Sequence, residues 1–216
     1  MDDEFRQKYT QKTLLSVTCD GIINHWNVAT GKLQGSIRHE DNALFTCDYS
    51  CDGLKFVAAG KDTKIYLYDE LTRQLITPMY SNGLRVNGHQ NRVFCTKFMP
   101  DDPHVCVTGG WDRIMKLYDT RIGKPVAQIL GPLVSGDCID VNGDTILAGS
   151  NRHEKPLAIY SISMRKTISE ISFDPPNTSF AESGYVLAAR FSKDPEGSMF
   201  FAGGAGRNEM RAFDND

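Results

Sequence analysis

Side chains able to perform acid–base, nucleophilic or metal chemistry are present in this sequence, but they form no recognisable catalytic pattern. The sequence has no GxSxG, P-loop or HExxH motif, and no Rossmann fingerprint after a strand. The glycine-rich segment Gly203–Gly206 lies between predicted strands rather than before a helix, which favours a turn over a phosphate-binding loop. Sequence spacing identifies no nucleophile or carboxylate as a catalytic partner of any histidine. We therefore predict no catalytic residue and no cofactor.

The six cysteines indicate reduced thiols rather than a metal centre. Five of them lie within or beside predicted strands, where cysteine packs as a small apolar side chain. Cys47 and Cys51 have a spacing that could supply half of a metal site, but no His/Cys pair completes the ligand set. We therefore predict that no metal is bound.

The composition excludes two classes of partner. The chain has 216 residues and a net charge of -3, without a long Lys/Arg run, so neither nucleic acid nor an anionic membrane is expected to bind. No apolar stretch approaches the roughly 20 residues of a membrane helix. The N-terminal segment is polar and has no apolar signal core. These features predict a cytoplasmic chain, with nuclear and cytoskeletal locations left open.

Short β-strands are the elements expected to position the candidate side chains. Between Gly88 and Asp119, three apolar and β-branched runs at 93–98, 105–108 and 114–118 are separated by turn residues. This pattern predicts an antiparallel meander. The same order of runs and turns recurs, with intervals of 42, 50, 42 and 53 residues between the closing aromatic residues Trp26, Tyr68, Tyr118, Tyr160 and Phe213.

The Gly-His start, the aromatic-Asp finish and the recurrence resemble the WD40 (WD-repeat) family over residues 14–214. The resemblance implies an all-β propeller of four-stranded antiparallel blades around a channel. The units are a polar N-terminal segment at 1–13, a partial blade at 14–32, and full blades at 33–72, 73–124, 125–167 and 168–216. Because a seven-bladed ring needs roughly 300 residues, we expect a fragment of a larger propeller, or a ring completed by a second chain.

In the WD40 family a buried network joins a His, a Ser/Thr, an Asp and a Trp of each repeat. The resemblance assigns this structural network to His89, Thr108, Asp112 and Tyr118, to His39 and Asp62, and to Ser16, Asp20 and Trp26. Tyr118 replaces the family's Trp, and Ala58 stands at the Ser/Thr position of its repeat. The first substitution predicts a weaker or water-bridged network, because a phenol reaches differently from an indole.

The resemblance also places two sets of loops on one face of the propeller. The partner-binding candidates on these loops are Lys61, Arg92, Trp111, Arg113, Arg152, His153 and Arg207. Trp111 is singled out because its equivalents in other repeats are not aromatic, and because Trp and Arg dominate binding hot spots. The alternative is that Trp111 covers the channel mouth or packs on a neighbouring loop.

These observations predict a non-catalytic platform or scaffold subunit of a multiprotein complex, with a peptide or partner protein held on the loop face. The expected ligand is an acidic segment with an apolar anchor, because guanidinium groups bind carboxylates in a bidentate way. The alternative is an enzyme, or a small-molecule or metal binder, that uses the channel. Two further expectations accompany this prediction. Phe94, Thr96 and Phe98 are expected to share one strand face, and Lys116→Ala, the control for Trp111→Ala, is expected to change partner binding little.

Overall fold

The computed structural model describes residues 13–80, 88–152, 155–173, 185–194, 197–206 and 209–215. These residues form eighteen β-strands in five antiparallel sheets, and they include no helix able to span a membrane. Of the N-terminal segment 1–13, only Thr13 lies within the described residues.

The strands of each sheet follow one another in chain order. The first sheet contains β1 (Thr13–Val17), β2 (Ile22–Asn27) and β3 (Leu33–Arg38). The second contains β4 (Leu44–Tyr49), β5 (Lys55–Gly60), β6 (Ile65–Asp69) and β7 (Leu75–Met79). The third contains β8 (Val93–Phe98), β9 (Val105–Gly110), β10 (Ile114–Asp119) and β11 (Lys124–Leu130). The fourth contains β12 (Ile139–Asn142), β13 (Thr145–Gly149), β14 (Leu157–Ser161) and β15 (Lys166–Ile171). The fifth contains β16 (Tyr185–Phe191), β17 (Met199–Ala205) and β18 (Met210–Asp214).

The sheets are offset by one strand from the sequence repeats that begin at 33, 73, 125 and 168. The strand near the start of each repeat pairs with the closing aromatic strand of the preceding one, as β3 does with β2 and β11 with β10. Tight hairpins join these strands, each with a residue at positive φ, such as Gly31 at 65° and Gly123 at 65°. The described residues therefore form three four-stranded and two three-stranded sheets.

Adjacent sheets pack face to face in sequence order. The strands β4, β8, β12 and β16 approach one another in succession, and β1 approaches β4. Apolar side chains fill the spaces between sheets; Ile23 and Phe56, for example, share the core between the first two. The described sheets form an open arc. This arrangement confirms the predicted all-β fold of WD40-type propeller blades.

A β-bulge corrects the expected face pattern of β8. The register against β9 shifts between Val93 and Cys95, so Phe94 is an extra residue in the ladder. Val93 and Phe98, five positions apart, consequently lie in the same core, and Phe98 is only 4% exposed. The burial of Phe98 is confirmed. The expectation that Phe94 shares its face is wrong, because the bulge directs Phe94 out of that core.

Lys116 is buried in the third sheet. Its side chain lies in β10, the third strand of a four-stranded sheet that packs on both faces, and it is 2% exposed. Burial lowers the pKa of its ammonium group, although the nearby Asp112 opposes the shift. Truncation of Lys116 would remove a buried aliphatic stem, so Lys116→Ala is a poor control for partner binding, and its effect on binding stays a prediction.

Candidate partner-binding site on the loop face

The innermost strands of the second to fifth sheets are β4, β8, β12 and β16. The loop face is the end of the sheets at which these strands begin. We define it by the segments 43–45, 60–64, 91–94, 110–114, 131–138 and 150–152. Arg92 and Trp111 lie beside each other on this face, because the Trp111 backbone N–H donates to the Arg92 carbonyl at 3.1 Å. This bond holds the turn before β10 against the start of β8.

Trp111 is anchored and also exposed. Its indole N–H donates to the Ser135 hydroxyl at 2.8 Å, and Ser135 also accepts a hydrogen bond from the Asn151 amide at 2.7 Å. The indole therefore bonds to the loop 131–138, while Trp111 as a whole remains 40% exposed. Trp111 thus packs on a neighbouring loop while much of its apolar surface faces solvent, and its role in partner binding stays a prediction.

Two phenylalanines that sequence reasoning missed extend this surface. The Phe94 ring lies 5.1 Å from Trp111, and the Phe45 ring stacks on Phe94 at 4.7 Å with an interplanar angle of 5°. The Arg92 guanidinium carbon lies 5.4 Å from the centroid of the Trp111 indole, within cation–π range. An available signal was that Leu44-Phe45 and Val93-Phe94 occupy equivalent positions in two repeats.

The other predicted cations are placed differently. Arg113 is exposed in the same turn as Trp111, and Lys61 lines a cleft between the first two sheets together with Asp20 and Asn42. The Arg152 guanidinium approaches the Glu170 carboxylate at 3.6 Å, which partly neutralises its charge. Among the described residues, no ion pair involves Arg92, Arg113 or Lys61. His153 and Arg207 lie outside the described residues.

A buried histidine braces the turn that carries Trp111. The His89 ring bonds through Nδ1 to the Asp112 carboxylate at 2.8 Å and through Nε2 to the Thr108 hydroxyl at 2.6 Å. Asp112 also accepts the Gln90 backbone N–H at 3.2 Å. Burial lowers the pKa of the His89 imidazole, although the Asp112 bond opposes this shift. The Tyr118 ring stacks near His89 at 6.2 Å, while its hydroxyl stays outside this chain of bonds.

The other two networks have different partners. The His39 ring bonds to the Tyr68 hydroxyl, and the Tyr66 hydroxyl donates to Asp62 at 2.5 Å. Two tyrosines therefore bond His39 and Asp62 in a repeat whose Ser/Thr position holds Ala58. In the first sheet, the Trp26 indole N–H donates to the Ser16 hydroxyl at 2.9 Å. Asp20 lines the cleft described above.

Polar groups between the innermost strands pair with one another. The Lys97 ammonium lies 3.4 Å from the Asp48 carboxylate, and the Arg190 guanidinium bonds to Asp137. No group of three or more His, Cys, Asp or Glu side chains within the described ranges is arranged to hold a metal ion.

The model of the WD domain, G-beta repeat, matches residues 31–69 and 81–119. The chain therefore contains two WD40 repeats. Phe45 lies in the first matched repeat, and Arg92, Phe94 and Trp111 lie in the second.

Several curated proteins are similar in sequence to this chain. A LEC14B homolog from Prunus armeniaca is 27% identical over 140 residues, which cover 63% of this chain and 28% of that protein. Striatin-3 from Homo sapiens is 26% identical over 171 residues, covering 74% of this chain and 20% of striatin-3. The mRNA export factor GLE2 from Chaetomium thermophilum is 28% identical over 103 residues, covering 47% and 27% respectively. The chain thus spans less than a third of the length of each of these WD40 relatives.

Proposed function

We propose that this WD40 chain is a non-catalytic binding module, a scaffold subunit of a multiprotein complex that holds a partner protein on its loop face. WD40-repeat proteins generally mediate protein–protein interactions. The observation that carries the proposal is Trp111, whose large ring stays exposed although hydrogen bonding and packing fix its position.

An immobilised indole is suited to binding for an energetic reason. Ordering a side chain at an interface costs about 0.5–1.5 kcal/mol, and the bond to Ser135 has already restricted Trp111 in the free protein. The apolar area of the ring is then available for a partner to cover. Trp111 therefore has the properties of a hot-spot residue, whose truncation costs at least about 2 kcal/mol of binding.

Affinity capture from cell extract with three chains in parallel tests the proposal. The wild type and Trp111→Ala are compared with Ile122→Ala, which removes another exposed apolar side chain, in the turn at the opposite end of β10. We expect the wild type and Ile122→Ala to recover a stoichiometric partner that Trp111→Ala loses while its melting temperature is unchanged. Recovery by all three chains, or by none across several extracts, would contradict the proposal.

A further inference from the structure

The innermost strands carry a bulge at the same place in three sheets. The ladder register shifts between Leu44 and Thr46, between Val93 and Cys95, and between Val186 and Ala188. The extra residues are Phe45, Phe94 and Leu187. A bulge redirects the side chain of its extra residue, and none of these three side chains is fully buried. All three bulges lie near the start of an innermost strand, and those at Phe45 and Phe94 lie on the loop face.

Glycines on the neighbouring strands permit all three bulges, including Gly204, where a Cβ would lie 1.6 Å from the Tyr185 carbonyl oxygen. A Cβ at Gly60 would lie 1.9 Å from the Ala43 carbonyl oxygen, and a Cβ at Gly110 would lie 2.0 Å from that of Arg92. No other residue type could accept such a close approach of the backbone without movement. The positions of Phe45 and Phe94 are thus built into the paired strands.

Phe45, Phe94 and Trp111 form a continuous surface that we name the aromatic shelf. Successive ring centroids are 4.7 Å and 5.1 Å apart, so the rings contact each other and leave no slot between them. A ligand therefore rests on the shelf and does not insert between its rings. Such a surface suits an aliphatic or aromatic side chain.

The positive charges beside the aromatic shelf favour a negatively charged group in the rest of the ligand. Arg92 lies over the indole, and Arg113 is two residues from Trp111. Neither guanidinium takes part in an ion pair among the described residues. These charges repel a cationic ligand, and Arg92 already covers part of the ring on which a cation would stack. A carboxylate, in contrast, gains a charge-assisted hydrogen bond.

We propose that the aromatic shelf holds an apolar side chain from an acidic segment of a partner protein, with a carboxylate of that segment paired to Arg92. This inference rests on the proposed function and names the class of partner for the same face. Phe45 becomes a specificity-determining residue, although it lies in the second sheet and Trp111 in the third.

Phage display tests this proposal: short random peptides on phage are selected for binding to the immobilised chain. We expect enriched sequences that combine Leu, Ile or Phe with Asp or Glu. Synthetic peptides then provide dissociation constants by calorimetry. Phe45→Ala and Arg92→Glu should each weaken binding on the order of ten-fold or more, as hot-spot substitutions do. A peptide in which Lys replaces the acidic residue should regain affinity for Arg92→Glu.

Matched controls lie at the opposite end of the same sheet. Ile122→Ala removes an exposed apolar side chain, and Lys124→Glu reverses an exposed charge. Neither should change affinity more than about two-fold, because neither side chain lies on the loop face. Arg92 is exposed, so its charge reversal remains informative even if Phe45→Ala lowers stability.

The outcomes separate this inference from the proposed function. Selected peptides could lose binding to the Trp111→Ala variant but bind the Phe45→Ala and Arg92→Glu variants with normal affinity. That result would overturn the proposal for the aromatic shelf and leave the proposed binding function intact. Enrichment of Lys- or Arg-rich sequences, or of no sequence that depends on Phe45, would also overturn the shelf. The capture experiment decides the proposed function separately.

Discussion

Asp112 connects the interior of this protein to its candidate binding surface. Its carboxylate accepts hydrogen bonds from the His89 ring and from the Gln90 backbone, and it directly follows Trp111 in the chain. Burial raises the pKa of this carboxyl, whereas the His89 bond lowers it, and the net shift is downward. The charge of Asp112 therefore braces the turn that displays the indole.

The substitution His89→Ala tests this brace. We expect a loss of about 1–3 kcal/mol in the free energy of unfolding near neutral pH, because the buried Thr108 and Asp112 groups lose their hydrogen-bond partner. Urea unfolding provides the measurement. A loss below about 0.5 kcal/mol, the range of ordinary surface changes, would show that the network does not support the fold.

The pH dependence of this loss follows from the lowered pKa of His89. Below the usual pKa of 6.5, the unfolded chain takes up a proton before the buried imidazole does. The contribution of His89 to stability is thus complete above this value and declines as the pH falls through it. The difference between the wild type and His89→Ala should shrink from about pH 7.5 to about pH 5.5. A difference that grows would mean that His89 is protonated in the folded state.

The positions of the strands were easier to predict from the sequence than the pairing register between adjacent strands. The runs at 93–98, 105–108 and 114–118 coincide closely with β8, β9 and β10, because β-branched and apolar residues bounded by turn residues favour strands. The bulge at Phe94 was not predicted, because one extra residue changes the register without changing the composition of the strand. If side chains alternated strictly between the two faces of the strand, Phe94 and Phe98 would share one face, and this is what we predicted.

The substitution Phe98→Ala tests the corrected register. Phe98 lies with Val93 in the core between the second and third sheets, so its truncation should cost about 3–5 kcal/mol of stability. In contrast, Ile122→Ala should change stability by less than about 0.5 kcal/mol, because Ile122 is 58% exposed. Similar denaturation midpoints for the two variants would contradict the assignment of β8.

At the scale of the whole molecule, carboxylates join the innermost strands of adjacent sheets. The Asp48 carboxylate accepts the Phe98 backbone N–H at 2.7 Å, and the Asp140 carboxylate accepts the Phe191 backbone N–H at 2.9 Å. Each bond satisfies a backbone donor of the next sheet. Burial raises the pKa of the Asp48 carboxyl, and the Lys97 ammonium partly opposes this shift.

Asp140→Ala should destabilise the protein by about 1–3 kcal/mol, since a buried backbone N–H loses its acceptor. Asp140→Asn keeps an acceptor oxygen and should cost less. Lys193→Ala serves as the control: its ammonium lies 3.6 Å from Asp140, but the Lys193 side chain is mostly exposed, and such ion pairs contribute about 0–1 kcal/mol. Thermal unfolding would compare the three. If Lys193→Ala cost more than Asp140→Ala, the ion pair rather than the backbone bond would couple these sheets.

The candidate site was predictable only in part. Residue type and repeat position identified Trp111 and Arg92, because an aromatic residue that the fold does not require is visible in the sequence. Phe45 was not identified, since its exposure depends on a bulge and its contact with Phe94 crosses between sheets. Lys61 lies in the loop-face segment 60–64, where it lines a cleft between the first two sheets.

Hydrogen–deuterium exchange of the chain with and without its captured partner tests the central claim most directly, because it surveys the backbone without assuming a site. We expect slower exchange on binding in segments 43–46, 91–95 and 110–114, with no change in the turn 120–124 at the opposite end of the third sheet. Protection confined to the turn 120–124, with the loop-face segments unchanged, would contradict it.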